Sequence, residues 1–332
     1  MAVLSPSGRA ASAFPDVLDL GLARLREHFE LVPVEFPTTR APEASPEQRA
    51  DDVLAAFADA QIKAVMTTIG GEDELKVLAH LDPAKLAENP KPFFGYSDNT
   101  NLLLYLWNAG LVSYHGAAIM VQLGRAGSMN AATRESLANA LFGSGTCVLA
   151  PPEETSDEER SWRDSAELSL EPRMFPARPW SWHGPKVKVS GQAWGGNLEI
   201  VDFHLRAGRY LLRPEAYDGA VLFLETSEEM PDATYVRRLL MCMGERGLLQ
   251  RFAAVVWGRP KAWSFEQPNP DAAKQEYVDS QRETVLAALA EYHPDVPLVF
   301  GVDFGHTDPQ YVIPIGGEVT VDGKQERIEV RY

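Results

Sequence analysis

Short apolar runs alternate with longer amphipathic stretches through the first half of the chain. Ala2 to Leu4, Leu31 to Phe36, Ile62 to Thr68 and Pro92 to Tyr96 are compact apolar runs of strand length. Between them, Leu18, Leu22, Leu25 and Phe29 recur at helical spacing and predict a helix over 15–29 with one buried face. Ser45-Pro46-Glu47-Gln48 reads as a helix start, with Ser45 as N-cap, Pro46 in the first turn and Gln48 closing a capping box. Strand and helix signals in strict alternation predict an α/β fold: a mostly parallel sheet flanked by helices, flavodoxin- or Rossmann-like. Such sheets bind ligands at the carboxyl ends of their strands.

The pattern breaks at Pro151-Pro152. Eight carboxylates between 151 and 172 face only Arg160 and Arg163, which predicts an exposed crossover. Trp180 and Trp182 follow in a Pro/Gly-rich stretch, either as a mobile flap that stacks on a planar substrate group or as packing at a domain interface. From Lys186 a second pattern begins. Val187 to Ala193 alternates as a strand, Trp194-Gly195-Gly196-Asn197 reads as a tight turn into a helix, and strands are predicted at Val221 to Leu224, Ala253 to Trp257 and around Val299. Closing strands are expected at Tyr311 to Ile315, Val319 to Val321 and Arg327 to Val330. The chain therefore divides into an α/β domain over 1–150, a crossover over 151–185 and a smaller β-rich α/β domain over 186–332.

Composition narrows the function classes. With 332 residues, 45% of them hydrophobic, the chain can build two real cores. Its 47 acidic and 31 basic residues give a net charge of −16, which argues against a nucleic-acid polymer or an anionic membrane as partner. Cys147 and Cys242 form neither a disulfide framework nor a zinc spacing, and His115, His204 and His293 lack ligand spacing, so no metal is expected. The start, Met1 to Pro6, has no basic region followed by a long apolar one, and a cytoplasmic location is expected.

Three strand ends carry candidate chemistry. Gly95-Tyr96-Ser97-Asp98 follows the apolar Pro92-Phe93-Phe94 and precedes the helix-like Asn101 to Trp107. A serine at such a turn is exposed on a sharp bend above a helix N-terminus, the geometry of a nucleophile elbow. The second glycine of the usual G-x-S-x-G is absent, and helix capping by Ser97 or Asp98 stands beside the nucleophile reading. Glu225 ends one apolar strand, and His306 follows another through Gly305. Ser, Glu and His in that order can assemble a catalytic triad. Asp303 is placed to stiffen the loop that carries His306, and Arg259 to approach the site.

These segments resemble the LD-carboxypeptidase serine peptidases, a family that includes the microcin C self-immunity peptidases. The resemblance runs through Ser5-Pro6-Ser7-Gly8, Thr68-Ile69-Gly70-Gly71, Gly95 to Thr100, His115-Gly116, Trp194 to Leu198, Leu224-Glu225 and Gly301 to His306. It implies Ser97 as nucleophile, His306 as general base, Glu225 as the carboxylate that orients it, and the N–H groups of Asp98 and Gly71 as oxyanion donors. Gly70, Trp180, Trp182 and Trp194 are further candidate substrate contacts. The fold it implies places the active site between the two domains, in a homodimer without cofactor. Ala117 stands where the family usually has proline. Ile69 and Glu72 flank the glycine pair where the muropeptide-cleaving branch carries arginine and tyrosine. The glycine loop is closer to the microcin-immunity branch, which implies aminoacyl- or peptidyl-nucleotide amides as substrates, with murein tetrapeptides as the alternative. A non-catalytic binding protein of the same fold is the reading from another class.

Overall fold

The computed structural model describes residues 1–332, which divide into two compact units. The first comprises 1–143, 160–173 and 310–316; the second comprises 144–159, 174–309 and 317–332. The expected independent crossover over 151–185 is thus shared between them, and the second unit is not the smaller. The acidic segment is held by specific ion pairs. In the first unit Arg125 binds Glu171 at 2.6 Å, and in the second Lys274 binds Asp157 and Glu158 at 2.7 and 2.9 Å.

In the first unit the strands lie in the order Val34–Glu35, Ala2–Leu4, Val65–Thr67, Phe93–Gly95, Ser113–His115 and Ile313–Ile315. All pairings are parallel except the last. Ala2, Val3, Val65, Met66, Phe93 and Phe94 are fully buried, as expected for a parallel sheet covered on both faces. The predicted stripe of helix Pro15–Phe29 packs inward at Leu18, Leu22, Leu25 and Phe29. Helix Pro46–Ala58 starts with the expected capping box, with Gln48 N donating to Ser45 Oγ and Ser45 N to Gln48 Oε1. Strand order reverses between Ala2–Leu4 and Val65–Thr67. At such a switch point the loops leaving the two strands diverge and open a crevice. Here these loops are Ser5–Gly8 and Thr68–Gly71, and they touch: a Cβ on Gly71 would stand 2.5 Å from Ser7 Oγ.

In the second unit Lys188–Asn197, Val221–Glu225, Ala254–Gly258 and Leu298–Val302 form a parallel sheet, edged by Ser181–His183 in antiparallel register. The long strand Lys188–Asn197 serves two sheets. Its first half pairs antiparallel with Glu318–Asp322, which continues to Arg327–Arg331 and Thr146–Leu149. Burial follows this division: the first half alternates between exposed and half-buried, and Ala193 to Asn197 are buried without a break. Trp194 to Asn197 is therefore strand rather than the expected turn. Gly195 permits it, because its φ of 123° and the close approach of the Phe223 carbonyl leave no room for a side chain. Asn197 then caps helix Leu198–Ala207 through Ile200 N at 3.0 Å.

Candidate active site

Ser97 occupies a strained bend. Strand Phe93–Gly95 leads through an extended Tyr96 to Ser97, whose φ of 60° is left-handed, then to a short 3₁₀ turn and helix Thr100–Asn108. A side chain in that region costs roughly 1–2 kcal/mol, so its surroundings must hold it there. Asn99 Nδ2 donates to the carbonyls of Tyr96 at 3.0 Å and Ile69 at 3.1 Å. Asp98, 1% exposed, accepts from Ser7 Oγ, from Glu74 N at 2.9 Å and from Asn101 Nδ2 at 2.8 Å. Its side chain is thus a brace under the elbow. Burial raises its pKa against the pull of these donors. Glu74, fully buried beside it, is raised well above the carboxylate range, by burial first and by the Asp98 charge second. Sequence reasoning missed Glu74, which closes the acidic run Glu72-Asp73-Glu74 and looks like an ordinary solvated acid at the start of a turn.

Gly70 faces the serine directly. A Cβ there would lie 2.7 Å from Ser97 Cβ, 2.9 Å from Ser97 Oγ and 3.4 Å from Asp98 N. The glycine loop therefore borders both the hydroxyl and the backbone N–H named as candidate oxyanion donor. Gly71 is turned toward Ser7 and Gly8, with a virtual Cβ 2.6 Å from Gly8 N.

In the second unit Glu225 and His306 form a tight pair. Glu225 ends the buried strand Val221–Glu225 and is fully buried itself. His306 Nδ1 donates to Glu225 Oε2 at 2.6 Å. Two glycines make room for the carboxylate: a Cβ on Gly258 would stand 2.5 Å from Glu225 Cβ, and one on Gly305 would stand 2.7 Å from Oε2. Burial of the ring acts to lower the His306 pKa, but the Glu225 carboxylate, with a smaller contribution from Glu228, outweighs it and pushes the value up to about 9. The loop before His306 is pinned at Asp303, which accepts from Arg259 Nε at 2.6 Å and from Trp180 Nε1 at 2.8 Å. Asp303 thus stiffens this loop as expected, and Arg259 serves it while also donating to the Arg178 carbonyl at 2.9 Å.

The tryptophans part company with expectation. Trp180 is buried and hydrogen-bonded to Asp303. Trp182 lies in the edge strand Ser181–His183, in register with Val299, so this stretch is sheet rather than a mobile flap. Trp194, 1% exposed, packs in the core against Tyr217 and Phe252 at centroid distances of 4.9 and 5.7 Å and offers no surface to a substrate. Two acids near His306 went unnoticed in the sequence: Glu228, whose Oε2 lies 3.5 Å from His306 Nε2, and the buried Glu199. Glu199 stands between Leu198 and Ile200, where the sequence gives no sign of a partner, and only the fold brings it to Glu225 and Glu228 to His306. Burial, and then the Glu225 charge, push Glu199 up to about 7. No group of three or more His, Cys, Asp and Glu is placed to hold a metal ion, and no helix is long and apolar enough to cross a membrane.

Comparison with known proteins agrees with the resemblance. The LD-carboxypeptidase N-terminal domain matches residues 1–116 and the LD-carboxypeptidase C-terminal domain matches residues 190–321. The microcin C7 self-immunity protein MccF of Escherichia coli is 25% identical over 288 residues, covering 85% of this chain and 78% of that protein. A Bacillus subtilis protein named "Probable murein peptide carboxypeptidase" is also 25% identical over 288 residues, covering 83% of this chain and 74% of its own. Among solved structures, wild-type MccF without ligand superposes with a TM-score of 0.84 at 22% identity, over 100% of this chain and 95% of its own. An MccF-like protein from Streptococcus pneumoniae in complex with AMP gives 0.86 at 22% identity, over 100% and 98%. MccF has also been solved with aspartyl sulfamoyl adenosine and with glutamyl sulfamoyl guanosine.

Proposed function

The chain belongs to the LD-carboxypeptidase family of serine peptidases, a family of hydrolases, and from that premise we propose that it cleaves an amide by acyl-enzyme chemistry with Ser97, His306 and Glu225 as its triad. The observation that carries this reading is the pairing of His306 Nδ1 with the buried Glu225 at 2.6 Å, together with a serine held at a φ of 60° on a strand-to-helix bend.

The chemistry follows from those two features. A serine hydroxyl is a weak nucleophile until an imidazole takes its proton. Glu225 fixes the tautomer that leaves Nε2 for this task and stabilises the imidazolium that forms. His306 Nε2 accepts the Ser97 proton as Oγ attacks the carbonyl, then returns it to the leaving nitrogen. The N–H groups of Asp98 and of the glycine loop at Gly71 receive the oxyanion. Water, activated by the same imidazole, releases the acyl group.

For the substrate we favour aminoacyl- or peptidyl-nucleotide conjugates. The ligands carried by the MccF structures and by the Streptococcus pneumoniae protein support this class. Murein tetrapeptides are the second reading, favoured by the likeness to the Bacillus subtilis protein. The family reading also carries a cytoplasmic homodimer, which sedimentation of the purified chain tests.

The deciding assay follows hydrolysis by mass spectrometry with wild type and Ser97→Ala, each given an aminoacyl sulfamoyl adenosine and a murein tetrapeptide. Cleavage of the adenosine conjugate, reduced about 10³-fold or more in Ser97→Ala, is the expected result. Release of terminal D-alanine alone selects the second reading. A Ser97→Ala variant within about tenfold of wild type sinks the triad.

A further inference from the structure

His306 is bracketed by two carboxylates in different surroundings. Glu225 holds Nδ1 from the buried side. On the other side Glu228, with 54% of its side chain exposed, brings Oε2 within 3.5 Å of Nε2. Its position is fixed by the turn that follows strand Val221–Glu225. Ser227 donates to Glu199 Oε1 through both N and Oγ, at 2.9 and 2.6 Å. Glu229 N and Met230 N then donate back to Ser227 Oγ and O, each at 3.2 Å. Glu199, in the first turn of helix Leu198–Ala207, thus ties down the loop that carries Glu228.

Lys261 acts on both His306 and Glu228, but it is buried and bound to Glu159, while Glu228 faces water beside Nε2. In the proposed reaction Nε2 exchanges its proton with Ser97 and with the leaving nitrogen. Groups that flank the scissile carbonyl therefore come within a few ångströms of Nε2, and so of Glu228. An anion beside Nε2 favours the imidazolium, the wrong state for a general base. Its position makes sense when the substrate brings a cation: an ammonium pairs with Glu228 and weakens its hold on the ring proton.

We propose that Glu228 is a specificity-determining residue that receives a free α-ammonium beside the scissile carbonyl, so that the site selects aminoacyl amides over N-acylated ones. This deepens the function proposed above and rests on it. It narrows the first substrate reading to aminoacyl rather than peptidyl conjugates, and it disfavours murein tetrapeptides too, because the carbonyl cleaved in them likewise belongs to a residue whose α-nitrogen is acylated.

The test compares kcat/KM for an aminoacyl sulfamoyl adenosine with a free α-amine and for its N-acetyl counterpart, using wild type, Glu228→Gln, Glu228→Lys and Ser97→Ala. Glu228→Gln is expected to lose about fivefold on the free-amine substrate, mostly in KM, the size of effect a half-exposed ion pair carries. It should change less than about twofold on the acetylated one, and Glu228→Lys should reverse the preference. Each variant is checked by thermal melting. A merely structural role would lower both substrates together, and that result overturns the assignment, as does an unchanged preference in Glu228→Gln. If neither substrate is cleaved in a Ser97-dependent way, the proposed function fails and takes this assignment with it. Ser97-dependent cleavage of both substrates at equal rates overturns the Glu228 assignment alone.

Discussion

Glu225 Oε2 lies 2.6 Å from His306 Nδ1 although 81 residues separate them in the chain. The two sit at the ends of strands Val221–Glu225 and Leu298–Val302, which flank Ala254–Gly258 in one parallel sheet. Parallel strands end on the same side, so distant carboxyl termini meet there. Gly258 and Gly305 supply the space that the carboxylate occupies.

The pair sets a pH dependence. With the His306 pKa pushed up to about 9, the imidazole is protonated at neutral pH. Activity needs the neutral ring, so kcat/KM is expected to rise from pH 7, reach half its maximum near 9 and level off only above that. Stability runs the opposite way. The folded value lies above the ordinary 6.5, so the ion pair's contribution is complete below 6.5 and is lost as pH rises through about 9. Glu225→Gln should move the activity limb toward 6.5 and lower the rate by about 10²-fold or more. A limb that stays in place in that variant would refute the electrostatic account.

Gly70 and Gly71 should respond differently to alanine. In Gly70→Ala the new methyl meets Ser97 Cβ and Oγ, at 2.7 and 2.9 Å before relaxation, so activity is expected to collapse. In Gly71→Ala the clash falls on Ser7 Oγ and the Gly8 backbone, which costs stability as well. Melting curves and rates measured together check this. A fully active Gly70→Ala would place the reacting oxygen elsewhere.

Ser97→Gly removes the nucleophile and also the Cβ penalty of about 1 kcal/mol at a left-handed residue. Its melting temperature is expected to stay level or rise while activity disappears. A marked drop would mean that the serine side chain, rather than the bend, holds the elbow.

Glu74 keeps its proton to higher pH in the folded protein than a free carboxylic acid does, because burial first and the Asp98 charge second raise its pKa well above 4.5. Its folded value exceeds the unfolded one, so the wild type loses stability as pH rises from 4.5 toward the folded value. Glu74→Gln keeps the shape without the proton and should flatten that decline, with a change below about 1 kcal/mol at pH 4.5. Denaturant melts between pH 4.5 and 8 read this directly. A strongly destabilised variant at low pH would show that the carboxyl itself is required.

Trp180→Phe should lower stability by about 1 kcal/mol through loss of the hydrogen bond to Asp303. It should leave KM for a nucleotide conjugate within about twofold, since the ring is buried in the second unit. A large rise in KM with unchanged melting would restore the stacking role that the sequence suggested.

The sequence by itself determined the elements and the candidate chemistry. Period and caps placed helices Pro15–Phe29 and Pro46–Ala58, and apolar runs placed strands that end at Ser97, at Glu225 and before His306. These signals are local: a capping box or a strand-to-helix serine is written within a few neighbouring residues. Only the tertiary structure decided which residues meet. Trp194 reads as a turn residue until Tyr217 and Phe252 close over it, and the acidic run after Pro151 reads as solvated until Lys274 takes Asp157 and Glu158. Glu74, Glu199 and Glu228 carry no pattern in the chain at all. Their protonation and their roles come from burial and from neighbours tens of residues away, quantities that exist only once the sheets have formed.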